Sequence, residues 1–558
     1  MDNPITYAGF TIGPIHEVID ASRRTRETWF ASYFFSWFMR QLVRKLYNPG
    51  VFEFLTPFLP KNDESGLAGR YHDRFVAESV FSVNETNQRI QAARDKIIDY
   101  FSKVIDDLIK KKDFTRLLSK DKIEDILSNY LRTSFVVLPA AEVPKDEVVK
   151  TVDKYLDTLE LNRSFRLGRC ENTCELCRTL PAVAEAKIWR LNPESRDDEF
   201  DKAKRCPLCL LKYFMLTSKI SQRPEVIKEI LGTNHNRFLY PSTVEISAEE
   251  LLQDKAVKDE IEKAKQKKDK DIDIKSIQGA IGHNKTIKPY HKYIAVVQAD
   301  GDNMGKIAKK VQNPQELSGA LFDFATEGVR LIEKYHGQPI YLGGDDVLAF
   351  LPTATTINTD FVTVLDFAAE LAEVFKEKIE EVLQNGPVKP SLSIGIAIAY
   401  YKHPQQFNLQ NVRDLMYGKA KQKKDSIALS LLQHSGAKTE IVFHLGASSQ
   451  FQSFMSLFKG VLSGDIELPQ GLHHNLARFQ RLLIEIPDEE RLTAFFKNTF
   501  NEEIHEDMLD GLNYIRDLLW GEIKIARESG EDISEAIKRI LNQLKFMHFL
   551  MLDKEDNQ

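Results

Sequence analysis

Two groups of residues in this chain have the types and spacing that chemistry can use. The first is acidic and glycine-rich. It comprises Asp300-Gly301-Asp302-Asn303-Met304-Gly305 and, further on, Gly343-Gly344-Asp345-Asp346. Carboxylates brought together repel one another unless a cation lies between them, and all-oxygen donors suit Mg²⁺ or Mn²⁺ rather than zinc. Such cations lower the pKa of an attacking hydroxyl and screen a phosphoryl group as its leaving oxygen departs. Asp300, Asp345 and Asp346 are thus the expected metal ligands and catalytic residues. Gly301, Asp302, Asn303, Gly305, Gly343 and Gly344 are expected to receive the nucleotide, the glycines letting backbone approach phosphate closely. Lys421 and Lys424 either neutralise the β- and γ-phosphates of a leaving pyrophosphate or simply end a helix in solvent. The chemistry so described is attack on the α-phosphate of a nucleoside triphosphate. A plain hairpin loop is the competing reading of 343–346, since Gly and Asp are common turn residues.

The second group is sulfur. All five cysteines lie between Cys170 and Cys209, whereas a disulfide framework would spread them through a small secreted domain. Cys174-x-x-Cys177 and Cys206-x-x-Cys209 each present two thiolates from one tight turn, the four soft donors that tetrahedral Zn²⁺ prefers. A redox pair is the alternative. A site closed by four thiolates is structural, and Cys170 is left over.

The acidic group needs elements that converge. Tyr293–Ala299 is a short apolar strand that ends at Asp300. Pro314–Tyr335 has helical periodicity, with Leu317, Leu321, Phe324, Val329 and Ile332 on one face. Pro339–Leu342 and Val347–Leu351 flank the Gly343–Asp346 turn as a hairpin, Phe361–Leu383 is a second amphipathic helix, and Ser391–Tyr400 is another strand. That order, β-α-β-β-α-β, is the ferredoxin-like split unit, whose first strand neighbours the hairpin and so sets Asp300 beside Asp345 and Asp346. Val412–Lys424 is a further helix. A fainter echo lies near the start, where the strand Ala8–Ile12 runs into Gly13-Pro14 and a helix from Ile15. Thr11 and Gly13 stand there where the later copy has carboxylates, so two related modules are expected, one without metal ligands.

Composition narrows the class. The chain has 558 residues, enough for three or four domains, with 42% hydrophobic and 28% charged residues, as in ordinary globular proteins. A net charge of −6 advertises no global affinity for nucleic acid, which leaves local patches. The apolar stretch Thr28–Met39, preceded by Arg23, Arg24 and Arg26, is too short to span a bilayer and lacks a cleavage site; a cytoplasmic, non-membrane protein is expected. Five segments follow: a degenerate first module with a helical insertion (1–164), a zinc module returning to it (165–250), a Lys-rich solvated linker (251–290), the second module with the acidic turn (291–440), and a helical region (441–558). The last carries the stripe Ile533, Ile537, Ile540, Leu541, Leu544 and Met547. The fold class is α+β.

The motifs ADGDNMG (299–305), YLGGDDVLAF (341–350) and SLSIGIAIA (391–399) resemble the palm shared by diguanylate cyclases and the large subunit of type III CRISPR effector complexes. The double-Asp turn favours the CRISPR branch. Residues 10–38 are similar to the opening of the first palm in the Cmr-type (III-B) large subunit. The resemblance implies two ferredoxin-like palms, a zinc module between them and a helical C-terminal domain. It also implies ATP as substrate, Mg²⁺ or Mn²⁺ as catalytic metal, and partnership with other Cmr subunits, guide RNA and target RNA. Asp300 and Asp345 would be metal ligands, with Asp346 adding ligation or hydroxyl activation. The implied product is a cyclic oligoadenylate messenger, with conjugation of ATP to S-adenosylmethionine at the same metal site as the alternative and a non-catalytic RNA-binding scaffold as another. Many relatives open with a histidine–aspartate nuclease domain. Here the palm starts near residue 5, so that activity is expected to be absent, and His72-Asp73 is read as structural. A stand-alone diguanylate cyclase is disfavoured by the zinc module.

Overall fold

The structure is a computed structural model. It describes residues 5–59, 68–111, 114–145, 147–161, 172–189, 200–215, 240–268, 272–282, 286–311, 313–383, 388–446, 450–469, 471–500 and 506–551. Cys170 lies outside them.

The N-terminal half is built on an antiparallel sheet. Its strands are β1 (Thr6–Gly13), β2 (Phe52–Thr56), β3 (Arg74–Ser79) and, after the short β4 (Thr115–Arg116), β5 (Arg132–Pro139), in the order β2-β3-β1-β5. Helix α1 (Ile15–Asp20) follows β1 as expected, and helix α2 (Thr25–Leu46) follows that. The apolar stretch inside α2 is core: Trp29, Phe30, Phe34, Phe35 and Phe38 are all buried. Burying each such ring is worth about 1.5–3 kcal/mol, which explains the stretch without a membrane.

The second sheet carries the acidic turn. Its strands are β8 (Tyr293–Gly301), β9 (Gln338–Gly343), β10 (Asp346–Pro352) and β13 (Leu392–Tyr400), extended by β14 (Ser426–Leu432) and β15 (Lys438–His444). The order is β15-β14-β13-β8-β10-β9. Within it, β13-β8-β10-β9 repeats the arrangement of the N-terminal sheet, first strand inside and hairpin to one side. Each face of β8 is buried: Ile294 and Val296 point into a core shared with α2 and the N-terminal sheet, while Ala295, Val297 and Ala299 point into a core shared with the C-terminal helices. A strand covered on both sides reads as an unbroken apolar run.

Several boundaries differ from expectation. The second amphipathic helix begins at Val364, because Phe361–Thr363 belong to β12 (Asp360–Thr363), which pairs with β11 (Ala354–Ile357) in a small hairpin. Strands β14 and β15 were hidden behind the Lys-rich helix that precedes them. The expected Lys-rich linker is partly packed. Helices Lys255–Lys268 and Ile274–Ile281 bury Ile261, Ile277 and Ile281 against Val244, Leu251 and Leu252; a few apolar residues at helical spacing were enough. Beyond residue 450 the described residues are helical, closing with the helices Leu509–Ser529 and Ile533–Met551.

The cysteine module is placed by β6 (Ala184–Trp189) and β7 (Phe200–Arg205), antiparallel partners, and by the helix Pro207–Met215 that follows.

Candidate functional site

Register brings the acids together. Antiparallel pairing sets Val347 opposite Ala299 and Ser393 opposite Asp300, so the end of β8 faces the turn between β9 and β10. A Cβ added to Gly301 would lie 2.8 Å from the Asp345 Cβ and 2.9 Å from its Oδ2. Only a glycine allows that approach. Burial, then the Asp300 charge, pushes the Asp345 carboxyl up to about 7. The Lys421 ammonium answers this charge, donating to the Gly301 carbonyl oxygen at 2.6 Å and pairing with Asp300.

The three acids do not form one ligand set. Asp346 opens β10, just after the turn residue Asp345, and lines a cavity of about 630 Å³ between the two sheets. Other walls of that cavity come from His16, Asp73, Arg132, Tyr341 and Arg413. Burial, then Asp345, Asp300 and Asp73, raise the Asp346 carboxyl well above the usual carboxylate range. Asp300, Asp345 and the Gly301 carbonyl are the oxygen donors that fit a divalent cation, with Asp346 at the cavity side of the same turn. Carboxyls raised first by burial and then by one another's charge are the electrostatic mark of a site built for a cation.

The expected nucleotide set divides. Gly344 adopts φ +64°, a left-handed conformation that favours glycine. At Gly343 a Cβ would meet the Tyr341 hydroxyl at 2.3 Å, so this glycine serves the fold of the turn itself. Nothing lies near a Cβ at Gly305. Asn303, at φ +59°, accepts a hydrogen bond from Lys424 Nζ at 2.7 Å through Oδ1, which holds the second lysine beside the strand end.

Asp302 departs from expectation. Its side chain is fully buried, and its carboxylate accepts hydrogen bonds from Ser391 Oγ at 2.8 Å, Ser393 Oγ at 2.7 Å and the Asp425 backbone N–H at 2.9 Å. It braces the end of β8 against β13 and β14 instead of facing the nucleotide. Asp300, two residues earlier and still within β8, is the acid that meets Asp345 and Lys421.

Sequence reasoning overlooked Tyr417. It stands in a π-helical turn, Met416–Ala420, within the helix that also carries Lys421. Burial, then Asp346 and Asp300, raise its hydroxyl to about 12. Its spacing of four from Lys421, which sets both on one helix face, was the available signal. Gly395 on β13 is what lets this helix sit so close, since a Cβ there would meet the Val412 carbonyl oxygen at 2.6 Å.

The thiols of Cys174, Cys177, Cys206 and Cys209 lie within 4.8 Å of one another, the only such cluster of metal-ligand types among the described residues. Cys177 and Cys206 Sγ are 3.8 Å apart. Burial raises the Cys206 thiol well above its ordinary value. Four converging sulfurs fit tetrahedral zinc.

A split sheet with an acidic glycine turn at the end of its first strand defines a palm of the nucleotide-cyclase and polymerase type. Residues 293–428 match the family described as Cas10/Cmr2, second palm domain, and residues 7–104 match CRISPR-associated protein Cmr2, N-terminal. The CRISPR system Cmr subunit Cmr2 of Pyrococcus furiosus is 29% identical over 299 residues, covering 42% of this chain and 33% of that protein. The match thus spans about a third of the curated relative's length. Among solved structures, a type III-B Cmr-beta complex bound to cognate target RNA has a chain of similar fold, with TM-score 0.59 and 14% identity over 89% of this chain and 78% of that one. The apo state of Cmr-beta is similar at TM-score 0.55 and 15% identity, covering 87% and 76%. The chain is thus similar to Cas10/Cmr2 over its second palm and to Cmr2 over its N-terminal region. Among the described residues no helix is long and apolar enough to cross a membrane.

Proposed function

We propose that this chain is the catalytic subunit of an RNA-guided type III-B complex that makes a nucleotide messenger from ATP once guide RNA has paired with target RNA. The observation that carries the reading is the Asp300–Asp345 pair with Lys421 beside it, at the end of a palm's first strand. Bound Mg²⁺ or Mn²⁺ would polarise the α-phosphate and the attacking hydroxyl. Asp300, Asp345 and the Gly301 carbonyl would hold that cation. Asp346, aimed into the cavity, takes the proton from the acceptor's 3′-hydroxyl as the O3′–Pα bond forms. The bond from Pα to the bridging oxygen breaks, and pyrophosphate leaves toward Lys421 and Lys424. We read the N-terminal sheet as a second palm in which Thr11 and Gly13 replace the carboxylates, so that it shapes the acceptor side alone. Four cysteines hold a structural zinc. Repetition of the transfer and ring closure give cyclic oligoadenylate, the first reading of the product.

One feature favours the S-adenosylmethionine conjugate as a second reading. The cavity that Asp346 lines also presents Asp73, while its arginines are engaged: Arg132 with Glu17 and Arg413 with Asp20. A second polyphosphate there would add anionic charge to Asp73 and Asp346, whereas an acceptor bearing a sulfonium and an ammonium would be attracted. Mass spectrometry of the product formed by the assembled complex with target RNA, Mn²⁺ and ATP, with and without S-adenosylmethionine, separates the two. Asp345→Ala with Asp346→Ala should abolish pyrophosphate release while leaving assembly intact. Equal turnover in wild type and double variant would remove the catalytic reading and leave the scaffold.

A further inference from the structure

The acidic turn is not supported by its own sheet alone. Residues 69–73 of the N-terminal half run alongside it. Gly69 bridges Tyr341 in parallel, and its carbonyl accepts a hydrogen bond from the Leu342 N–H at 2.9 Å, which adds a short extra edge to β9. On the other side the segment is fixed to the N-terminal half. The Tyr71 N–H donates to Ser36 Oγ on α2 at 2.9 Å, a buried bond, and the Asp73 carbonyl accepts from the Ile12 N–H of β1 at 3.0 Å. His72 lies between these two anchors, so its backbone has little freedom. Its ring lies directly over Gly344. A Cβ built on Gly344 would fall 2.0 Å from His72 Nε2 and 2.4 Å from Cε1. Phe58, Leu321 and Phe322 close around the same spot.

We propose that His72 is a positioning residue for the acidic turn: its ring is the seat on which Gly344 rests, fixing where Asp345 meets Asp300. Asp345 follows Gly344 directly, and Gly344 holds a left-handed φ that the turn needs. With no side chain of its own, Gly344 takes its position from what it rests on. Anchorage at Ser36 and Ile12 makes the N-terminal half part of the support of the metal ligands. Outer partners of ligands matter in proportion to the geometry they fix, and their loss typically costs ten- to a hundred-fold in metal affinity. This inference rests on the metal-site reading given above and names what sets the geometry of that site.

The test is Mn²⁺ binding by the full chain, measured by titration for wild type, His72→Ala, Gly344→Ala and the double variant, with thermal unfolding alongside. His72→Ala should weaken Mn²⁺ binding by about ten-fold or more. Gly344→Ala should weaken it in the wild-type background through the clash with the ring. In the His72→Ala background the same change should cost less, because the ring is gone and only the left-handed strain of alanine remains. Should His72→Ala fail to fold, His72→Gln and its double variant with Gly344→Ala are read in the same way. A wild-type chain that binds no Mn²⁺ sinks the metal-site reading itself. A wild type that binds, with His72→Ala binding equally well or Gly344→Ala costing the same in both backgrounds, sinks the positioning role alone. A merely structural histidine would lower the unfolding temperature without any coupling between positions 72 and 344.

Discussion

At the scale of single residues, neighbours in the motif 300–305 divide their labour. Asp300 faces its partner acid and Lys421, while Asp302 is buried and holds three donors at the starts of β13 and β14. Composition treats them alike; position separates them, since Asp300 lies within β8 and Asp302 just past its end. Replacing Asp302 by alanine leaves Ser391 Oγ, Ser393 Oγ and the Asp425 N–H without their acceptor inside the protein. Each buried group so stranded costs about 1–3 kcal/mol. Asp302→Ala should therefore lower the unfolding free energy by about 3 kcal/mol or more in denaturant titrations, whereas Asp300→Ala should cost far less and can even stabilise, since it relieves repulsion with Asp345. If the two variants unfold alike, the assignment of one to support and the other to chemistry is wrong.

Among the elements, the C-terminal helices contain a group that senses acid. His473, on the helix Leu472–Arg478, is 7% exposed and its ring lies 4.0 Å from that of His474 and 5.0 Å from that of His548. Burial, then the neighbouring histidines, lowers it to about 4. Its folded value is below the ordinary 6.5, so the unfolded chain binds the proton first as pH falls. The stability involved is therefore fully present above pH 6.5 and is lost as pH drops toward 4, to the extent of up to about 3 kcal/mol. Thermal unfolding at pH 7.5, 6 and 4.5 should show a progressive decline in wild type that His473→Gln flattens. Parallel curves would place the acid sensitivity elsewhere.

For the molecule as a whole, the legible and illegible parts of the sequence separate along one physical line. Local patterns sufficed for β8, the acidic hairpin and β13, because each is an apolar run bounded by turn residues. The cysteine spacing likewise announced a cluster that the fold assembles. What local pattern withheld was anything made by contact between distant segments: the seat of Gly344 on His72, the turning of Asp346 into a cavity shared with Asp73, and the packing of a Lys-rich stretch on Val244 and Leu251. The cysteine module shows how far such contacts reach. Cys174, Cys206, Leu208 and Leu211 belong to one continuous core with Phe34 and Phe38 of α2 and with Val296 of β8. Zinc binding to such a module is also folding free energy. Metal analysis should find about one zinc per chain. Removing it with a strong chelator should raise hydrogen exchange in the module and also along Thr25–Leu46, whose aromatic face packs on it, and lower the midpoint of global unfolding. Exchange that rises in residues 172–189 and 200–212 while α2 stays protected would mean that the module opens by itself, and that the two sheets stand without it.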